Sequence, residues 1–181
     1  MREKISIVSM ASVSALGVSE DQSWQHYMEK RSLIKEQDFE KFFALVSSIS
    51  HEHWDEINEL KKIKNYKDLD PSVLMAIYCS RKAFEKTDWK EKEFGVNIGS
   101  SRGATSLFEK YYKEFSDNDK GLVNTLSSPT TTLGNISSWV GHDLHSQGPT
   151  ISHSIACSTA LHGLLNGIAW INSGMSERFL I

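Results

Sequence analysis

The sequence predicts a layered α/β fold, and three observations predict it. From residue 70 onward, short apolar runs of strand length alternate with longer segments whose apolar positions recur at helical spacing. One of those segments starts with Asp70 and Pro71, an N-cap followed by the residue that fits the first helical position. Another is opened by Cys157, where an apolar strand-like run ends. At 181 residues the chain is long enough for one domain with a real core.

Taken in order, residues 5–8 (Ile5-Ser6-Ile7-Val8) alternate weakly and read as a first strand, followed by a loop over 11–17 and a short helix over 20–30. Residues 31–67 are the least regular stretch and read as a surface excursion. In it Phe39, Phe42, Phe43 and Leu45 can cover a core, and Lys61, Lys62 and Lys64 form a wet helix face rather than a binding patch. The helix started by Pro71 carries Val73, Leu74, Ile77, Tyr78, Arg81 and Phe84, with Cys79 on its apolar side near Met75 and Ala83. Residues 95–99 form a strand and 105–115 a second helix, bounded by the turn-formers Ser116-Asp117-Asn118-Asp119. A third helix covers about 133–144, after Pro129. Residues 151–156 are the next strand, 158–172 a helix, and 177–181 the beginning of another strand.

The helix at 158–172 carries Ala160, Leu161, Leu164, Leu165, Ile168, Ala169 and Trp170, apolar on most sides, and such a helix must be covered all round. Phe179-Leu180-Ile181 stops inside an apolar strand without turn or cap, so the expectation is a chain truncated at that point.

Composition narrows the function classes. A net charge of -3 gives no basic excess for nucleic acid, and no apolar run reaches membrane-spanning length. With no signal-peptide pattern after Met1-Arg2-Glu3-Lys4, the expected location is the cytoplasm. The two cysteines, Cys79 and Cys157, read as free thiols there, and no His/Cys cluster has zinc-ligand spacing, so neither a metal nor a cofactor is expected.

Cys157 is the residue to explain. At a helix N-terminus, unpaired N–H groups and the positive end of the macrodipole favour the thiolate, which is the nucleophilic form. A buried structural cysteine is the plainer reading. Gly148-Pro149-Thr150 followed by Ala156-Cys157-Ser158 resembles the nucleophile segment of the β-ketoacyl synthases, the condensing enzymes of fatty-acid and polyketide synthesis. Three other stretches agree in order. Ser14-Ala15-Leu16-Gly17 is similar to that family's opening turn, and Ile98-Gly99-Ser100-Ser101-Arg102-Gly103 to its second strand and glycine turn. Ser128-Pro129-Thr130 with Asn135 is similar to the segment leading into its Asn-bearing helix.

The resemblance implies the N-terminal half of a thiolase-like fold, layered α/β/α(/β/α), with the helix after Cys157 sandwiched between two sheets, one from each half. It implies that Cys157 takes an acyl group from a carrier-protein thioester, its N–H serving as an oxyanion donor, and that a malonyl thioester then loses carbon dioxide and attacks. The partners implied are an acyl carrier protein with phosphopantetheine-bound groups and a second synthase subunit. The latter completes a homodimer, or a heterodimer with a related subunit, by pairing the strand at 151–155. The remaining catalytic residues, two histidines or a histidine and an asparagine with a lysine in many members, belong to the other half. Arg102, Ser158 and His162 are substrate-binding candidates; His162 one turn beyond Cys157 also suits a hydrogen-bonded structural role.

Three departures stand out. Ser158-Thr159-Ala160 replaces a glycine-containing sequence, Arg102 falls where an apolar residue lines the acyl pocket, and His153 occupies a usually apolar strand position. A guanidinium at Arg102 would turn to solvent, pair with a carboxylate or meet a polar substrate end. Two other functions compete: a non-catalytic partner that binds acyl chains or carrier protein, and a cysteine hydrolase, for which no base motif is present.

Overall fold

Serine caps shape the start of the chain. In the computed structural model, which describes residues 4–90, 92–117 and 121–181, Ser19 opens α1 (Glu20–Met28) through a capping box with Gln22. Two compact units are present, Met10–Lys67 and Met1–Ser9 with Asp68–Ile181.

The Met10–Lys67 unit holds α1, an antiparallel hairpin of β1 (Lys35–Asp38) and β2 (Phe43–Val46), and α2 (His51–Glu59) capped by Ser50. Two 3-10 turns, Leu60–Lys62 and Lys64–Tyr66, follow, and Ile57, Leu60 and Tyr66 are buried. The irregular excursion expected over 31–67 is therefore structured. Phe39, Phe42, Phe43 and Leu45, expected to cover a core, are exposed instead; Phe39 and Phe42 stack on each other at 5.3 Å across the hairpin loop. A two-stranded ribbon has little core of its own for such residues to join.

The second unit is built on α3 (Pro71–Glu85), β3 (Gly95–Asn97), α4 (Thr105–Ser116), α5 (Ser127–Thr131), α6 (Asn135–Asp143), β4 (Thr150–Ile151), α7 (Thr159–Asn172) and β5 (Phe179–Leu180). Asp70 caps α3 as expected: its Oδ1 accepts from Ser72 N at 2.9 Å, and its Oδ2 accepts from Leu107 N in the first turn of α4 at 3.2 Å. The three-stranded sheet runs β4-β3-β5 with both pairs parallel, so each connection is a helical crossover.

Alternation along β3 sorts the layers. Phe94 and Val96 point to one face, where the Phe94 ring meets Phe84 of α3 at 5.1 Å. Gly95 and Asn97 point to the other, where Asn97 bonds Gly163 of α7 and Phe179 packs on Trp170 of α7 at 5.3 Å. Ser137 of α6, fully buried, accepts from Ile98 N at 2.9 Å and reaches Ile98 O and Ile151 O at 2.8 and 2.9 Å. The layered α/β class holds. No helix among the described residues is long and apolar enough to cross a membrane.

Two expected strands fail for different reasons. Residues 5–8 form no strand; Ile7 and Val8 are exposed, and the segment is tied in by Ser9 Oγ donating to Ala83 O at 2.8 Å. Weak alternation makes a strand only where a ladder partner lies beside it. The strand expected over 151–156 ends at Ile151, because the groups beyond it bond the first turn of α7 rather than a neighbouring strand. Of the expected turn at 116–119, Asn118 and Asp119 lie outside the described residues.

Candidate active site

Between β4 and α7 the backbone makes an elbow. Ala156 has φ 45°, a left-handed conformation that costs a non-glycine residue about 1–3 kcal/mol and persists only where its surroundings enforce it. Cys157 follows, exposed, in the 3-10 turn Ala156–Ser158 that leads into α7. The turn's hydrogen bonds are Ser158 N to Ile155 O at 3.1 Å and Thr159 N to Ala156 O; the Cys157 N–H is in neither.

Side chains stitch the elbow together. Thr159 Oγ1 accepts from Ile155 N at 2.9 Å and donates to Ala156 O at 2.7 Å. Ser158, the N-cap of α7 by position, does not cap it; its hydroxyl donates to Ile155 O at 2.9 Å. His162 Nδ1 lies 3.1 Å from Ser158 O. The structural role read for His162 thus has a partner, and its other ring nitrogen and the Ser158 hydroxyl lie within one turn of Cys157.

The ring of His153 bridges the elbow from behind. Nε2 is 2.9 Å from Thr159 O and Nδ1 is 3.0 Å from Asn97 Oδ1. Asn97 is fully buried and donates from Nδ2 to Gly163 O at 3.2 Å. The ring fits because residue 99 is glycine: a Cβ there would stand 3.0 Å from His153 Cε1 and 2.2 Å from Thr159 Cγ2. The glycine turn thus meets the elbow at Gly99, whereas Arg102, three residues on, is exposed.

Of the residues expected from the sequence, the elbow gathers Cys157, Ser158 and His162. Asn97 and Thr159, which carry no expected role, join them, together with His153. The one signal for Asn97 was an amide inside an otherwise apolar strand. Asn135, in the Asn-bearing segment, is buried and donates to Thr130 O, while its Oδ1 has no partner among the described residues. Cys79 is half-buried in α3, and burial pushes its thiol from the ordinary 9.0 up to about 11.

A family model described as the β-ketoacyl synthase N-terminal domain matches residues 2–180. Among solved structures, the chain is similar to a β-ketoacyl synthase from Burkholderia phymatum STM815, with TM-score 0.77 and 17% identity over 94% of this chain and 44% of that one. It is also similar to the ishigamide ketosynthase/chain length factor, with TM-score 0.72 and 13% identity over 93% and 44%. A third is ketosynthase twelve of the bacillaene polyketide synthase in Bacillus amyloliquefaciens, with TM-score 0.67 and 20% identity over 94% and 31%. At these identities the likeness is one of fold, and the chain spans less than half the length of each. No curated protein matches it in sequence.

Proposed function

The chain belongs to the β-ketoacyl synthase family, and from that membership we propose that Cys157 is the nucleophile of a condensing enzyme. Its Sγ attacks the carbonyl carbon of an acyl thioester borne on the phosphopantetheine of an acyl carrier protein. The phosphopantetheine sulfur leaves with a proton, and the acyl group stays on Cys157. A malonyl thioester then loses carbon dioxide, and the carbanion so formed attacks the acyl-cysteine. Cys157 departs as thiolate and a 3-oxoacyl thioester is released. Both attacks put negative charge on a carbonyl oxygen, and the Cys157 N–H, outside the turn's hydrogen bonds, is free to donate to that oxygen.

The elbow carries this reading. An exposed thiol after a left-handed alanine, at the head of a helix whose cap hydroxyl is turned elsewhere, suits a thiol that meets substrate. It favours an enzyme over a non-catalytic acyl-chain or carrier-protein-binding partner, which needs no thiol. The groups that stabilise decarboxylation belong to the second half of the fold, so condensation in fatty-acid or polyketide synthesis requires the complete synthase. That β4 is an edge of its sheet supports pairing with a second subunit there.

Replacing Cys157 by Ala in the complete synthase should abolish the acyl-enzyme in intact-protein mass spectra. It should also lower 3-oxoacyl product formation on the order of a thousandfold or more. Unchanged product formation would overturn the proposal.

A further inference from the structure

We infer that His153 is a positioning residue for Cys157, an inference that rests on the nucleophile reading above. The elbow has two arms, the irregular stretch 152–155 and the first turn of α7, and Ala156 between them is held in a conformation it does not favour. Among the described residues, two side chains tie the 152–155 arm and Ala156 across to Thr159, the first residue of α7. The Thr159 hydroxyl bonds Ile155 N and Ala156 O; the His153 ring reaches from the other arm to Thr159 O at 2.9 Å. A carbonyl oxygen can only accept, so Nε2 of His153 carries the hydrogen in that contact.

The far side of the ring is fixed as well. Nδ1 lies 3.0 Å from Asn97 Oδ1, and because the Asn97 amide is oriented by its donation to Gly163 O at 3.2 Å, that oxygen also accepts, so the ring makes both bonds with a hydrogen on each nitrogen. His153 therefore joins three segments at one point: β3, the irregular 152–155 arm and the head of α7. The ring also packs between two residues without side chains, since a Cβ on Gly99 would stand 3.0 Å from its Cε1 and one on Gly163 3.6 Å from the same atom. An apolar residue at 153 could fill that slot but could not tie Thr159 O. What the tie fixes is the direction of the Cys157 N–H relative to its Sγ, and oxyanion stabilisation depends on that direction.

Two reactions at Cys157 separate positioning from mere stability. Acylation by an acyl-N-acetylcysteamine thioester passes through an oxyanion. Alkylation by iodoacetamide is displacement at a saturated carbon and does not. In the complete synthase, His153→Asn keeps a nitrogen where Nδ1 lies, beside Asn97, and loses the reach to Thr159 O. We expect it to slow acylation about tenfold or more while alkylation changes less than threefold. His153→Gln, whose amide reaches further, should recover much of the acylation rate. Acylation and alkylation that both stay at the wild-type rate in His153→Asn, or that fall in parallel with the thermal midpoint, would overturn the inference. His153→Leu, read by the same ratio, serves if the Asn variant does not fold. A wild-type Cys157 that reacts with neither reagent would instead sink the nucleophile reading, and this inference with it.

Discussion

α3 and α7 are the two longest helices, each is associated with one of the two cysteines, and they are held in opposite ways. α3 is seated by bulk: Val73, Leu74 and Ile77 are fully buried, Asp70 caps it, and Arg81 grips Asp143 of α6 through two bonds of 2.8 and 2.5 Å. α7 is seated by the lack of bulk. It buries Thr159, Gly163 and Gly167, while Leu161 and Leu165 are 70% and 61% exposed. A Cβ on Gly167 would stand 2.3 Å from Ile181 Cδ1, so the backbone itself is the packing surface. The difference separates scaffold from site. α3 holds a half-buried thiol among its packed side chains, whereas α7 brings its own first turn against β3 and leaves the thiol at its head in the open. Under the proposed function, the exposed leucine face of α7 is the one that the second half of the synthase covers.

The contrast is broken most severely from the scaffold side. Arg81→Met removes the bidentate partner of a carboxylate whose side chain is 2% exposed, and should lower unfolding stability by about 3 kcal/mol in urea titrations. The alkylation rate of Cys157 in the folded fraction should stay unchanged; a slowed rate would mean that scaffold and elbow are not separable. Gly99→Ala tests the other side, since its Cβ falls 2.2 Å from Thr159 Cγ2. It should cost about 2 kcal/mol by overpacking and, unlike Arg81→Met, slow acylation of Cys157 as well. An alanine that is tolerated with full acylation would show that the elbow does not need that close approach. The smallest effect belongs to the cap. Asp70→Ala should cost about 1–2 kcal/mol, near the upper end for a cap because the same carboxylate also receives Leu107 N. Thermal melts that show no change would remove Asp70 from the account of α3.

How much of this was legible in the sequence follows the same division. α3 could be read from Asp70-Pro71 and its apolar spacing because cap and periodicity are local signals, and α4, α6 and α7 lie within a few residues of their expected bounds. The family could be read because Gly148-Pro149-Thr150 and Ala156-Cys157-Ser158 are contiguous, and the match over residues 2–180 bears it out. What could not be read was non-local. Whether Ile5-Ser6-Ile7-Val8 forms a strand depends on a partner across space, and the alternation of those four residues carries no information about one. The hairpin at 35–46 and α5 lacked strong periodicity because most of their residues are not fully buried. His153 broke the apolar pattern of its strand visibly, but its partners Asn97 and Thr159 come from a strand 56 residues earlier and a helix six residues later. The elbow itself, with Ala156 at positive φ, is written in no composition rule, since alanine is not a residue that announces that conformation.

The two thiols differ in accessibility and chemistry, and peptide mapping after brief treatment of the complete synthase with iodoacetamide at pH 8 reads that difference residue by residue. Burial holds the Cys79 thiol up at about 11, so roughly one molecule in a thousand carries its thiolate at that pH. The stability that Cys79 gains by staying neutral is full below about 9, its ordinary value, and is lost as the pH rises through about 11. The contrast should therefore be sharp at pH 8 and narrow in strong alkali. Carbamidomethylation of Cys157 with Cys79 recovered unmodified is the expected result; Cys79 modified while Cys157 is untouched would reverse the assignment of the two thiols.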